Sequence, residues 1–235
     1  MNEYGHGTEA NPEEAHRLYS LAAEQGNAHA QYRLGHLYEF GDGVNRDFQM
    51  AQTWYAKAAA NGEQNAKNKV QTHEQFQNGL DLAKQGHQMA QFQVGRMYEY
   101  GIGVVKDRQE AAKWYRLSAE QSCGEAQKKM GYIYATGTGV NPSDTKSAEY
   151  YRLAAEQVRK KADKHDSEAQ FEMSRLYEQG RGVEKDPKEA RRWIERAAKN
   201  NSADAQYRMG RIYQEGIGVP KDPAESFKWF RLSAR

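Results

Sequence analysis

Six times in 235 residues the chain returns to one short signature: a glycine, any residue, and a second glycine. The pairs are Gly5/Gly7, Gly41/Gly43, Gly101/Gly103, Gly137/Gly139, Gly180/Gly182 and Gly216/Gly218, and their first members lie 36, 60, 36, 43 and 36 residues apart. Such a period marks stacked supersecondary units, each too small to bury its apolar face alone and obliged to lay it on a neighbour. The two longer intervals keep the period, one with an added unit of 24 residues and the other with 7 residues inserted.

The rest of the unit keeps step with the glycines. Ala-Gln opens a segment at Ala30, Ala90, Ala126, Ala169 and Ala205. Leu34-Gly35, Val94-Gly95, Met130-Gly131, Met173-Ser174 and Met209-Gly210 follow, and then Tyr38, Tyr98, Tyr134, Tyr177 and Tyr213. The spacing of Ala30, Leu34 and Tyr38 sets one apolar face on a first helix, helix A. The glycine pair ends that helix, because glycine takes left-handed backbone angles readily. A second helix, helix B, begins at a side-chain cap four residues after the second glycine: Asn11, Asp47, Asp107, Asp186 and Asp222, with Ser143 holding the same register. Pro12, Pro187 and Pro223 sit at the first helical position, where proline loses nothing. Eleven residues after the second glycine stands an aromatic, Trp54, Trp114, Tyr150, Trp193 or Trp229, heading an alanine-rich helix end. These five rings, together with the Trp/Tyr pairs they head such as Trp54-Tyr55, are assigned to the core, and the ten glycines from Gly41 to Gly218 to hinges between helices A and B.

Composition agrees with short, close-packed helices. Leu, Ile, Val and Phe together number only 31, a share low enough to suggest disorder, but 31 Ala, 15 Tyr and 4 Trp replace them and the net charge is only +2. Alanine favours helix and lets backbones approach, and the aromatics supply buried area. The reading is all-α, one solenoid over 1–235: a partial unit 1–29, repeats 30–65, 90–125, 126–168, 169–204 and 205–235, and a degraded short repeat 66–89.

The pattern Ala-x-x-x-Leu-Gly-x-x-Tyr, Gly-x-Gly-Val, Asp, Ala-x-x-Trp-Tyr-x-x-Ala-Ala resembles the Sel1-like repeat, a cousin of the tetratricopeptide repeat with a glycine loop between its helices. The resemblance covers nearly the whole chain, and five copies agree at about ten positions each. It implies a right-handed superhelix of helix pairs, with helix A lining a concave groove and helix B the convex back. It also implies protein binding, as in bacterial host interaction, envelope regulation and eukaryotic degradation complexes; the absence of a targeting segment favours a bacterial source.

Two stretches break the pattern. Over Ala66–Gly86 the glycine loop and about 12 residues are missing, which predicts a shortened hairpin or one bent helix. Near Val158–His165 seven extra residues, about two α-turns, predict a basic helix end that protrudes into solvent. The chain opens on the loop of a unit lacking helix A and stops inside a helix B, and so reads as a piece of a longer protein.

Catalytic chemistry finds little support. None of the seven histidines is spaced as a metal pair, and the single Cys123 excludes an internal disulfide. Ser143-x-x-Lys146 has the spacing of a lactam-acylating nucleophile and base, but it falls at a helix start and no companion motif accompanies it. No apolar run approaches a membrane span, and the near-zero net charge disfavours nucleic acid. Neither cofactor nor metal is expected, and the chain is expected to be monomeric.

What remains is surface. A second stripe on helix A, at i, i+4 and i+8, reads Tyr32-His36-Phe40, Phe92-Arg96-Tyr100, Lys128-Tyr132-Thr136, Phe171-Arg175-Gln179 and Tyr207-Arg211-Glu215. Tyr32, Phe92, Phe171 and Tyr207 are expected to pack on the neighbouring repeat. His36, Arg96, Tyr132, Arg175 and Arg211, with Phe40 and Tyr100, are the residues expected to meet a protein or peptide partner, arginine and tyrosine being enriched at binding hot spots. Charge grades from −4 over residues 1–62 to +6 over 126–235, which would orient a partner of opposite polarity. The sequence therefore points to an adaptor or scaffold rather than an enzyme. An inhibitor or immunity-type protein for one partner, a lactam-directed hydrolase at Ser143 and an RNA binder are the alternatives.

Overall fold

The computed structural model describes residues 11–234, so the loop expected at Gly5 and Gly7 lies outside the described residues. Among the described residues there are twelve helices and no strand. They are α1 (Pro12–Glu24), α2 (Ala28–Phe40), α3 (Phe48–Ala60), α4 (Gln64–Lys84), α5 (Gln88–Tyr100), α6 (Arg108–Glu120), α7 (Gly124–Thr136), α8 (Asp144–Ala162), α9 (Ser167–Gln179), α10 (Pro187–Lys199), α11 (Ala203–Glu215) and α12 (Pro223–Ser233). The chain forms two compact units, Met1–Ala111 and Ala112–Arg235. Helices α1 to α5 pack consecutively in the first, and α7 to α12 in the second, giving α-solenoid stacking of helix pairs within each unit.

The helix boundaries follow from side chains named in the sequence. Asn11, Asp47, Ser143, Asp186 and Asp222 each accept a hydrogen bond from an amide of the following first turn, as N-caps do. Asp107 accepts from the amides of Gln109 and Glu110. Gly41, Gly101, Gly137, Gly180 and Gly216 cap the C-termini of helix A with left-handed φ of 67–81°. A backbone bond from the cap residue back to the helix A tyrosine, as from Asp47 N–H to Tyr38 C=O at 2.9 Å, closes each ten-residue loop.

The second glycine of each pair lies further along the connection between helices A and B. Gly43, Gly103, Gly139, Gly182 and Gly218 stand two residues beyond the glycine that ends helix A, inside the loop, with left-handed φ of 66–78°. Gly139, at φ 78° and half-buried, shapes its loop in this way. The physical reason is that Gly137 has already closed α7, through its N–H to Ile133 C=O, and the chain must turn a second time to reach the Ser143 cap.

At several of these second glycines a close approach adds to the backbone angle. A β-carbon at Gly43 would stand 2.3 Å from the carbonyl carbon of Pro12, the first residue of α1. That loop thus rests on the start of the preceding helix B. The glycine inside helix A has a different reason. A β-carbon at Gly35 would meet the Tyr55 ring at 2.8 Å; Gly131 stands likewise against Tyr151, and Gly210 against Phe230. Where helix A carries Ser174 instead, the helix B partner position is Ile194, a side chain without a ring to accommodate.

This pairing sets the two residues of each pair at different depths. Tyr55 and Tyr115 are fully buried, whereas Trp54, Trp114, Tyr150 and Trp229 are only half-buried, and of the five expected rings Trp193 alone is buried. The residue after the tryptophan faces the helix A glycine, while the tryptophan sits on the flank of helix B. Trp54 packs there against Ala23, Ala30 and Leu34, with the Lys57 ammonium 4.1 Å from its ring. Trp193 is enclosed by Val158, Ala162, Met173 and Leu176 and faced by Arg159 and Arg196.

The glutamine of each Ala-Gln is a buried bracket. Gln31, Gln91, Gln127, Gln170 and Gln206 donate to the carbonyls of Ala23, Ala83, Ala119, Ala162 and Ala198, each eight residues earlier. The bracket ties helix A to the end of the preceding helix B, adding a side-chain donor to a carbonyl that already accepts an amide of the following turn, as Ala23 C=O accepts from Gly26 N–H at 3.1 Å.

Both irregular stretches are single helices. Helix α4 runs 21 residues without a hairpin. Ala66 and Val70 pack on Ala51, Tyr55 and Ala58 of α3, as a helix A does. Its second half carries α5, with the Phe76 ring edge-on to Tyr98 at 5.3 Å and Ala83 bracketed by Gln91. Matched against a full repeat, Gln71 corresponds to Gly35 and Thr72 to Phe48, so the end of helix A and the whole loop are gone and helix B follows directly. Helix α8 runs 19 residues against 13 in α3 and α10. Its added turns do not protrude: Val158 and Ala162 are buried, and only the lysines and arginine between them face solvent.

Candidate protein-binding surface

The outward stripe of helix A is built by the same packing that buries its inward one. With Leu34, Gly35 and Leu37 turned inward, position 36 and position 40 are left on the flank. In the first unit the His36 and Phe40 rings lie 4.5 Å apart, His36 half-buried and Phe40 54% exposed. Arg96 is exposed and Tyr100 is 57% exposed. In the second unit Tyr132 is 53% exposed and Arg175 and Arg211 are exposed. Arg96 and Arg175 have no hydrogen-bond or ion-pair partner among the described residues. Arg211 is engaged by Glu215 one turn on, with its Nε 2.8 Å from the carboxylate, and that hydrogen bond raises the guanidinium pKa further.

The first residues of the stripe behave differently from one another. Tyr32 lies 5.6 Å from Tyr55 and Phe171 packs against the Ile194–Met209 cluster, both half-buried. Tyr207 is 55% exposed and leans on Phe230 of its own repeat, 5.4 Å away, rather than on a neighbour. Phe230 itself is only partly covered, so the ring it supports is left in solvent.

Ion pairs join successive A helices beside the stripe. Lys69 Nζ lies 2.8 Å from Glu39, and Arg208 3.3 Å from Glu178. Glu39 also accepts from the Tyr55 hydroxyl at 2.5 Å, and burial together with this bond pushes the phenol pKa well above its ordinary value. Lys128 pairs with both Glu125 and Glu172. Burial works against its charge, but the two carboxylates outweigh it and raise its pKa. Neither the Glu39 cluster nor the glutamine bracket is visible in a helix stripe, because their partners lie 16–30 and 8 residues away. A polar residue recurring inside an apolar segment, as glutamine does after alanine, is the signal that could have shown the bracket.

The other candidates resolve locally. The Ser143 hydroxyl caps α8 by accepting from Lys146 N–H at 3.3 Å, and the Lys146 ammonium lies 5.2 Å from the Tyr134 ring. Cys123 is buried at the start of α7. Among the described residues no three His, Cys, Asp or Glu side chains are placed to hold a metal ion, and no helix is long and apolar enough to cross a membrane.

Two recesses accompany the two irregular helices. One, of about 360 Å³, is lined by Tyr32, Glu39, Phe48, Gln52 and Lys69 together with the Gly101–Gly103 loop. The other, of about 530 Å³, lies between the first two turns of α8 and the loop around Gly180 and Gly182, with Ala148, Tyr151 and Arg181 among its walls.

Comparison with known proteins places this architecture. The family model described as Sel1 repeat matches residues 1–27, 28–63, 88–123, 124–158, 167–202 and 203–235, leaving out all of α4 and the end of α8. A crystal structure of a Sel1 repeat protein from Oxalobacter formigenes is 32% identical, with a TM-score of 0.53 over 99% of this chain and 69% of that one. Human protein sel-1 homolog 2 is 32% identical over 105 residues, 45% of this chain and 12% of that protein. The Arabidopsis thaliana ERAD-associated E3 ubiquitin-protein ligase component HRD3A is 31% identical over 108 residues, 46% of this chain and 12% of that protein. The matched segment thus spans only about an eighth of these curated relatives' length. With six matched units over most of its length, the chain belongs to the Sel1 repeat family.

Proposed function

We propose that the chain is a non-enzymatic adaptor that holds a protein or peptide partner on the outward stripe of the A helices within a unit. The observation that carries this reading is the stripe itself. Arg96 in one unit, and Tyr132, Arg175 and Arg211 in the other, put arginine and tyrosine in solvent at one recurring position of the repeat, and Tyr100 is exposed one turn beyond Arg96. Arg96 and Arg175 are not used by the fold, and a cation held on a rigid helix loses little freedom when a carboxylate or aromatic ring reaches it. Relatives named as a ubiquitin ligase component and, in yeast, as a chitin synthase regulator fit a role exercised on other proteins.

The test is affinity capture from a lysate of the source cell with wild type beside Arg175→Glu/Arg211→Glu and Arg96→Glu/Tyr100→Ala, after all three are shown to melt alike. A protein held by wild type and lost by either variant supports the stripe. A partner held equally by all three removes the stripe as the site.

A further inference from the structure

The Gly-x-Gly loops of the first unit have seats, and one seat there stands open. The seat of the loop around Gly43 is the start of α1, where the second glycine lies against Pro12 and Glu13. The loop around Gly103 sits the same way on Thr72 and His73, with its β-position 2.4 Å from Thr72 O. A side chain of the seat also reads the loop's carbonyl: His73 Nδ1 lies 2.7 Å from Gly103 O, and in the second unit Arg191 donates to Gly218 O at 2.8 Å. The loop that belongs on the start of α3 is the one deleted with the end of the shortened unit's helix A. Its place is the 360 Å³ recess, where Phe48, the first residue of α3, and Gln52 line one wall and Asn68, Lys69 and Thr72 of α4 another. Gln52 stands five residues after its cap, as Arg191 does, and makes no hydrogen bond among the described residues.

We infer that this recess is a docking seat for a glycine-bearing tight turn of a partner protein, which replaces in trans the loop the shortened repeat lacks. The partner's glycine lies flat on the backbone at Phe48, where a β-carbon finds no room, and the carbonyl that follows accepts from Gln52. Phe48 and Ile102 flank the turn, and the Glu39–Lys69 pair, already satisfied by Tyr55, closes the floor without asking for a charged ligand. The inference rests on the chain being a protein-binding module, but it assigns a site distinct from the helix A stripe.

The probe is a cyclic decapeptide carrying residues 38–47 of this chain, whose ends the protein itself joins by the Asp47 N–H to Tyr38 C=O bond. It is titrated onto the whole chain by calorimetry, beside the same peptide with Gly43→Ala. Saturable binding, weakened about tenfold or more by the added methyl, is expected. Gln52→Arg, which supplies the donor that α10 has in Arg191, strengthens binding. A chain with a copy of residues 36–47 inserted between Gln71 and Thr72 fills its own seat and no longer binds, its helix content showing that it folds. No saturable binding, equal binding of the two peptides, or undiminished binding by the refilled chain overturns the seat. Because the probe needs no natural partner, a failed titration beside a successful capture rejects the seat and leaves the adaptor reading standing.

Discussion

Helices α4 and α8 answer opposite length changes in opposite ways. In α4 the chain is twelve residues short, and helix A and helix B are joined end to end; in α8 it is seven residues long, and helix B is extended. Seven residues leave a helical face only about 20° from where it began. The hairpin partner α7 therefore uses the first turns of α8, through Ser147 Oγ to Gly131 O and Tyr151 against Gly131, and α9 uses the same face further along. The loop of Gly182 accordingly rests on Tyr151 rather than on Asp144, seven residues down the helix, with its β-position 2.1 Å from Tyr151 O. One defect removes a loop and the other displaces it, and both uncover the first and fifth residues of a helix B: Phe48 and Gln52, Asp144 and Ala148. The difference is one of chemistry. The deleted loop leaves a carboxamide without a partner, whereas the displaced loop leaves an alanine.

The largest test of this comparison is removal of the ring that anchors each irregular helix. Phe76→Ala and Trp193→Ala are each expected to destabilise their unit by about 3–5 kcal/mol, read from urea unfolding followed by circular dichroism. A melt within a degree of wild type would show that the fused or extended helix does not carry its neighbour. Next come the seated loops. Gly103→Ala and Gly182→Ala set a methyl against backbone carbonyls and are expected to cost about 3 kcal/mol. Gly218→Ala meets nothing nearer than Arg191 Nη1 at 3.6 Å. It carries only the left-handed penalty, about 1–2 kcal/mol. Equal losses at all three positions would deny that the seats are tight.

A smaller effect separates the turns that end the two helices. Helix α4 is followed by Gly86 at φ 91°, with open space around its β-position, and α8 by His165 at φ 67°. Gly86→Ala is expected to lower, and His165→Gly to raise, stability by about 1 kcal/mol, through backbone conformation alone. The smallest effect is at Lys128, whose pairing across successive A helices contributes at most about 1 kcal/mol. Because its folded pKa is raised, that contribution is complete below the ordinary lysine value of 10.5 and is lost as pH climbs through the folded value. Lys128→Met therefore lowers the denaturation midpoint at pH 7 more than at pH 11.

Much of this was legible in the residues. The glycine pairs, the caps from Asn11 to Asp222 and the Ala-Leu-Tyr spacing mark every helix hairpin, because each is a local signal with its own chemistry. The position of the seven extra residues was not, since the spacing from Ser143 to Tyr150 and from Ala162 to Gln170 is that of any repeat, and a helix interior offers no landmark between them. Which ring of each pair lies deeper was not legible for a related reason. Adjacent aromatics such as Trp54 and Tyr55 are equivalent until the glycine opposite one of them is placed. Two glycines one residue apart are equally alike on paper, and Gly137 parts from Gly139 only once the end of α7 is fixed. Exposure of Arg96, Tyr132, Arg175 and Arg211 follows from helix periodicity, but the recess at α4 is defined by residues that are absent, and no pattern of present ones announces it.

In a linear array unfolding spreads from unit to unit, and it halts most easily where a flexible turn separates two helices. The turns at Gly26 and Gly62 are such halting points, bare of side chain and open to solvent. Helix α4 has none between its two halves. Amides from Gln64 to Lys84 are therefore expected to exchange with solvent as one block, coupling the opening of α3 and α5 through the helix that both pack on.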